Sequence, residues 1–235
     1  MRIVTEEDFY YLSMQENLVL ENVYFKSCNF YHCNLSDTII SPTEASLMKD
    51  CIFENCTINE NCNVGNGILQ NVKFYNFRTK FDLVFAGALF NKVSFSGQCG
   101  KLSLSSHTSQ RTINNGKILT EEQISNLNKA ADLFYKNIEW ALDISEAEFE
   151  ELRVFDNIPV ELIKINCYSQ VIVRKANIDM QKLESNPHII DAHKHFIMQS
   201  KRDCILSVAT INNKYEKEEL ESLKVLKGEG LVQCE

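Results

Sequence analysis

The sequence predicts a mainly β fold in which a solenoid of short strands is followed by a helix and a small α/β domain. Three observations lead to this fold class. Large apolar residues recur every five positions in the first half, a polar segment interrupts the pattern, and β-branched runs alternate with charged helical segments in the second half. The 235 residues are enough for one or two domains, and 44% hydrophobic with 24% charged residues is typical of a folded protein.

The five-residue pattern occupies about residues 18–104 and contains roughly ten clear units. In each unit a small residue stands two positions before a large apolar one. An α-helix repeats every 3.6 residues and a strand every 2, so a unit of five indicates a short extended piece followed by a corner. Four such units with quarter-turn corners close a coil of 20 residues, and stacked coils bury a continuous core. The residues predicted to point inward are Phe25, Cys28, Phe30, Cys33, Leu35, Ile40, Cys51, Phe53, Cys56, Ile58, Phe74, Phe85, Phe90 and Phe95.

Two consecutive units carry a family resemblance. CNFYH (28–32) and CNLSD (33–37) place Asn29 and Asn34 between a small residue and a large apolar one. This segment resembles the pentapeptide-repeat proteins. The resemblance implies a right-handed, four-sided β-helix of about four to five coils, and we assign it to residues 1–105.

The repeat segment is followed by a predicted loop over 106–119, which contains Asn-Asn-Gly. Thr120 and Gln123 have the spacing of a capping box and predict a helix with one apolar stripe. We expect this helix to cap the open end of the solenoid. The remainder, 120–235, forms the predicted C-terminal domain.

In the C-terminal domain, the segments 152–155, 170–175 and 204–211 are predicted strands. A helix is expected from Pro187 and another over 215–226, ended by Gly228. A small α/β domain is the favoured interpretation. The alternative is a short leucine-rich-like repeat, because Phe149, Leu152 and Val154 are echoed 19–20 residues later.

Metal and thiol chemistry were weighed against packing. His188, Asp191 and His195 share one face of a helix over 187–198 and form a weak zinc candidate; the competing interpretation is a solvated helix face. The repeat cysteines are too widely spaced for a zinc knuckle and favour core packing. Cys167 and Cys204 are candidate nucleophiles only if a histidine lies beside them. No phosphate-binding or hydrolase motif is present, and no cofactor is predicted.

Charge and surface composition point to a protein partner. The net charge of −8 argues against nucleic acid or an anionic membrane as a partner. Tyr24, Tyr31, His32 and Tyr75 fall on outward positions of the predicted solenoid, where exposed aromatic residues are typical of a protein-binding surface. The alternative is that they pack against the insertion at 41–50.

The functional hypothesis is a non-catalytic, cytoplasmic bacterial protein that binds and neutralises a partner, as an immunity protein neutralises a basic toxin or enzyme. One alternative is a secreted, host-directed effector that uses the solenoid for docking. Another, implied by the family resemblance, is a DNA mimic that protects a topoisomerase. Residues 1–105 carry a net charge of only −3, which weakens the mimic hypothesis. No signal peptide or membrane-spanning run is apparent, and the sequence does not determine the oligomeric state.

Overall fold

The computed structural model describes residues 1–10, 19–21, 23–31, 46–59, 62–64, 67–105, 113–114, 117–118, 120–155, 158–199, 204–209, 215–228 and 232–233. The predicted contact residue His32 and the predicted core residues Cys33, Leu35 and Ile40 lie outside this described part. The described part is mainly β, as predicted, and its larger sheets are parallel.

The first part of the chain consists of short strands. They are β1 (Arg2–Thr5), β2 (Asp8–Tyr10), β3 (Val19–Glu21), β4 (Val23–Lys26), β5 (Asn29–Tyr31), β6 (Ser46–Lys49), β7 (Ile52–Glu54), β8 (Thr57–Ile58), β9 (Asn63–Val64), β10 (Gly67–Gln70), β11 (Lys73–Tyr75), β12 (Arg78–Thr79), β13 (Leu83–Ala86), β14 (Leu89–Asn91) and β15 (Val93–Ser105).

A hairpin and a helix follow, and the chain then returns to strands. These elements are β16 (Ile113–Asn114), β17 (Lys117–Ile118), α1 (Glu121–Tyr135), β18 (Leu142–Phe155), a 3-10 turn at Val160–Leu162 and β19 (Ile163–Lys164). As predicted, Thr120 and Gln123 form a capping box at the start of α1.

Three parallel sheets are built from strands that are distant in sequence. The largest has the order β1-β4-β7-β11-β15-β13-β9, and two four-stranded sheets have the orders β14-β10-β6-β3 and β12-β8-β5-β2. The chain visits the sheets in turn and comes back to each after 21 residues: Ile52 pairs with Lys73, Thr57 with Arg78, and Ile68 with Leu89.

The predicted return after 20 residues is therefore one residue too short. The extra residue lies between the second and third buried centres of each round. Ile58 and Val64 are six positions apart, and so are Thr79 and Phe85, whereas the other centres keep a spacing of five. At the second of these corners, Lys80 and Phe81 are both exposed, so the insertion adds length outside the core.

The corners depend on left-handed backbone. Ser27, Asn55, Asn76 and Gly97 have φ values of 54°, 53°, 48° and 67° and occupy equivalent corners of successive rounds. Asparagine and glycine tolerate this conformation best. The side-chain amide of Asn76 also donates to Oδ1 of Asn55 at 3.0 Å, which ties one round to the next.

A phenylalanine ladder forms the centre of the core. Stacked rings lie 4.9 Å apart for Phe25 and Phe53, 5.0 Å for Phe53 and Phe74, and 4.6 Å for Phe74 and Phe95. The small inward positions are filled by cysteine or valine. The predicted core residues in the described part are all buried: Phe25, Cys28, Phe30, Cys51, Phe53, Cys56, Ile58, Phe74, Phe85, Phe90 and Phe95.

One unit breaks the sequence pattern but keeps the fold. In FRTKF (77–81), Phe77 fills the position normally held by a small residue, and Thr79 occupies the central position normally held by a large one. Because Thr79 is polar and buried, its hydroxyl donates to the carbonyl oxygen of Lys101 at 3.0 Å and accepts from the Lys101 N–H at 2.6 Å.

The parallel sheet continues beyond residue 105, where the sequence analysis ends the repeat segment. β15 pairs with β18 along most of its length, and β18 pairs with β19. Helix α1 therefore leaves the sheet between two paired strands and does not cap its end, contrary to expectation. It covers the edge of β14 instead, where the N–H of Phe90 donates to the hydroxyl of Tyr135 at 3.2 Å.

The last part of the chain is an α/β unit. It contains β20 (Gln170–Arg174), a 3-10 turn at Lys175–Asn177, α2 (Met180–Ser185), α3 (Asp191–Gln199), β21 (Cys204–Val208), α4 (Glu216–Gly228) and β22 (Val232–Gln233). Its sheet is antiparallel, in the order β21-β20-β22. The two halves of the leucine-rich-like echo lie in the parallel strand β18 and the antiparallel strand β20, so they do not form a structural repeat.

This unit has its own core, and β20 joins it to the larger one. Val171 and Val173 point into the second core, whereas Ile172 packs against the first. Gln170 is fully buried: its side-chain carbonyl accepts from the N–H of Asn166 and its amide donates to the carbonyl oxygen of Ile144, both at 2.9 Å. No helix within the described ranges is long and apolar enough to cross a membrane.

Candidate protein-binding surface

The outward residues of the parallel sheets include four tyrosines, which we call the tyrosine face: Tyr10, Tyr24, Tyr31 and Tyr75. Successive side chains of a strand point to opposite sides of a sheet. Each of these tyrosines is adjacent in sequence to a residue whose side chain points into the core, and so is held on the outside. Tyr24 and Tyr31 lie on consecutive strands of one round, joined by Ser27 and Cys28, so the face spans two adjoining sheets.

Tyr10 and Tyr31 form a stacked pair. They are paired in register on β2 and β5, and their rings lie 4.6 Å apart with an angle of 9° between the planes. On the other flank of the same strands, the Asn29 amide donates to Oδ1 of Asp8 at 2.8 Å. Partial desolvation and the Asp8 carboxylate raise the pKa of the Tyr10 hydroxyl, which keeps it protonated and able to donate. Tyr10 is 59% exposed, so the pair presents one open aromatic ring on a fixed base.

Tyr24 is more constrained. It is half-buried, and its hydroxyl donates to the carboxylate of Glu54 on the next strand. This hydrogen bond is the main cause that raises the pKa of Tyr24. Lys26 completes the group, with its Nζ 3.8 Å from Oε1 of Glu54. A partner therefore meets the ring of Tyr24, while its hydroxyl is already occupied.

Tyr75 is the predicted contact residue most open to solvent, at 46% exposure. It follows the buried Phe74 at the end of β11, and its ring lies against Gly97 on the next strand. A Cβ atom placed on Gly97 would come within 3.2 Å of Cε2 of Tyr75. The bare backbone of Gly97 thus makes room for the ring and fixes its position on the sheet.

The charges around these tyrosines are of both signs. Lys26 pairs with Glu54, and on another face Lys49 pairs with Glu21 at 3.7 Å. Exposed Lys73 and Arg78 also lie on the outer strands. A rigid surface of aromatic rings, hydroxyl groups and mixed charges is suited to contact with another protein.

The zinc candidate is not assembled. His188 lies before α3, which begins at Asp191 rather than at Pro187, so the helical spacing that united the three residues does not include His188. No three His, Cys, Asp or Glu side chains within the described part lie close enough to hold a metal ion. His188, Asp191 and His195 are all exposed, as on a solvated face.

His193 is the histidine with a defined partner. It is buried, as the apolar side of the predicted helix indicated, and its Nδ1 lies 2.8 Å from Oγ of Ser222. Ser222 Oγ also accepts from the N–H of Ile190 at 3.2 Å, so its own proton is directed to His193. Burial lowers the pKa of His193 to about 4. Because Ser222 is fully buried, this pair holds α3 and α4 together and is closed to a substrate. Nothing in the sequence links the two residues.

The cysteines of the parallel sheets serve packing. Cys28, Cys51 and Cys56 are fully buried, and their thiols donate to backbone carbonyls, as Cys51 does to Leu20 at 3.4 Å. Desolvation raises the pKa of Cys56 and of Cys99 to about 12, which removes thiolate character. Cys167 is exposed in the turn before β20, and within the described residues no hydrogen bond joins its thiol to a histidine. The side chain of Cys204 lies outside the described part.

Comparison with known proteins adds no relative to this geometry, because no protein-family model and no curated protein matches the chain.

Proposed function

We propose that the chain is a non-catalytic, protein-binding β-helix of the pentapeptide-repeat type that neutralises a partner protein. Support for the fold comes from the parallel return of the chain after 21 residues, the left-handed corners and the phenylalanine ladder. A four-sided, right-handed coil accommodates these features with two buried residues per side. The α/β unit and β18 then close the C-terminal end.

The observation that carries the functional proposal is the tyrosine face. Tyr10 and Tyr75 are exposed on strands whose other side is fixed by a stacked aromatic core. Tyrosine is enriched at binding hot spots because its ring gives a large contact area at a small entropic cost. A rigid sheet reduces that cost further, since few side chains and no loop need to be ordered on binding.

The charge of the chain favours a basic partner. A net charge of −8 steers a positively charged protein toward the complex and raises the association rate. The opposite-sign pairs on the outer strands suit a protein surface better than a mimic of phosphate rows. An immunity protein that occupies the active surface of a basic toxin, in the cytoplasm of a bacterium, combines these properties.

The decisive experiment measures binding to the product of the adjacent toxin gene by calorimetry. Tyr75→Ala and Tyr10→Ala should each weaken the complex by roughly tenfold or more, as expected for hot-spot aromatics. Tyr168→Ala is the matched control, because Tyr168 is equally exposed but lies in the turn before β20. An absent complex, or one that Tyr168→Ala weakens as much as Tyr75→Ala, would contradict the proposal.

A further inference from the structure

The two ends of the largest parallel sheet are protected differently. At the C-terminal end, Ile172 and Leu206 of the α/β unit pack against the core. Strand β18 also exposes Glu146, Glu148 and Glu150 along the part that β19 does not pair. Charged side chains on an edge strand oppose the addition of another strand. This end is therefore both covered and closed to self-association.

The N-terminal end has neither protection within the described residues. β1, β2 and β3 are the terminal strands of the three parallel sheets. Val4, Phe9 and Leu20 at this end are only partly buried, although their counterparts in later rounds are buried. Ile3, on the outer face of β1, is 64% exposed. The side of β1 that faces away from β4 has no strand partner in the described part of the chain.

The charges on this strand are self-complementary. Arg2 stands at one end of β1 and Glu6 directly after the other end, and both are exposed. When two copies of one strand pair antiparallel about a twofold axis, the start of each lies beside the end of the other. Each arginine then lies beside a glutamate of the second copy, and the contact occurs twice.

The alternation of side chains restricts the register. Opposed residues of an antiparallel pair point to the same face, and a slip of one position would place Ile3 opposite the inward Val4. One allowed register sets Val4 opposite the second copy's Val4, Ile3 opposite Thr5, and Arg2 opposite Glu6. This register extends the core across the axis and satisfies both charges.

We infer that β1 is a dimerisation edge, at which a second copy of this chain adds its own β1 in antiparallel orientation. The shared sheet hydrogen-bonds the free edge of both copies and shields Val4 and Phe9 from water. The inference is independent of the tyrosine face, because its test uses the isolated chain without any partner protein.

The test measures the mass of the full chain in solution by light scattering and sedimentation at about 50 µM, where micromolar association is visible. The wild type should be a dimer. Arg2→Glu and Glu6→Arg should each raise the dissociation constant by about tenfold or more, because each places two like-charge pairs across the axis. The double variant Arg2→Glu/Glu6→Arg should restore the dimer, since the exchanged charges attract again.

Lys73→Glu is the control, because Lys73 is an exposed lysine on the interior strand β11 and should leave the mass unchanged. Far-UV circular dichroism and thermal melts establish that each variant is folded. Ile3→Lys gives a second route, because it buries a charge at the contact and should also yield monomers. A monomeric wild type, or single and double reversals that behave alike, would overturn the inference.

Discussion

The backbone N–H of Phe90 donates a hydrogen bond to the phenolic oxygen of Tyr135, so a side chain from α1 takes the place of a strand at the edge of β14. Both residues are buried, and Phe90 also belongs to the phenylalanine core. A buried N–H without an acceptor costs free energy. The helix is thus attached to the sheet by one polar contact within an apolar interface.

Tyr135→Phe should lower the free energy of unfolding by about 1–3 kcal/mol, because it removes this acceptor and leaves the ring in place. Urea denaturation followed by the fluorescence of Trp140, the single tryptophan, measures the change. Tyr75→Phe is the control, since an exposed hydroxyl should contribute little. Equal effects of the two substitutions would contradict a specific role for the Tyr135 hydroxyl.

Gly97→Ala should be strongly destabilising, by about 2 kcal/mol or more. Gly97 has φ +67°, and a Cβ atom there would lie 2.2 Å from Oδ1 of Asn76. That oxygen accepts from the N–H of Gln98 at 3.0 Å, so the clash also disturbs a corner hydrogen bond. Thermal unfolding measures the effect. Gly228→Ala is the matched control, because a Cβ on Gly228 meets no atom within 4 Å, and a change of about 0.5 kcal/mol at most is expected.

His193 should make the protein less stable in mild acid. Its pKa is about 4 in the folded protein and near 6.5 when unfolded, so the unfolded chain takes up a proton first as the pH falls. The stability is complete above about pH 6.5 and declines toward pH 4, by a total of about 3 kcal/mol. Urea unfolding at a series of pH values measures the slope. His193→Gln should flatten it in this window, and an unchanged slope in the variant would assign it to other groups.

Cysteine labelling should separate the exposed thiol from the buried ones. Iodoacetamide should modify Cys167 in the native protein, whereas Cys56 and Cys99 should react only after unfolding, because burial raises the pKa of both to about 12. Peptide mapping by mass spectrometry identifies the labelled positions. Native labelling of Cys56 as fast as that of Cys167 would show that the core is open to solvent.

The sequence predicted the parts of the fold that rest on residue spacing. The alternation of Phe25, Cys28 and Phe30 reports which side chains point inward, because a buried position selects size and polarity at each unit. The twenty-first residue of each round was missed, since an exposed corner accepts many residue types and leaves no pattern. Phe77 and Thr79 were missed because only their combined volume is constrained, and their order can be exchanged.

The candidate surface was predicted in part. Outward positions follow from the alternation, which located Tyr24, Tyr31 and Tyr75, but Tyr10 precedes the recognised repeats and its stacking on Tyr31 was not foreseen. The zinc candidate was wrong because it depended on a helix that starts at Asp191 instead of Pro187. A boundary error of one turn is enough to separate ligands.

By itself, the sequence determined the inward columns, the capping box of α1 and the charged helix α4, because each depends on residues close together along the chain. The tertiary structure alone decided that β18 continues the sheet beyond the inserted helix, that Gln170 binds Ile144, and that His193 meets Ser222. These contacts join residues 26–50 positions apart and are selected by the packing of whole elements, which no local pattern records.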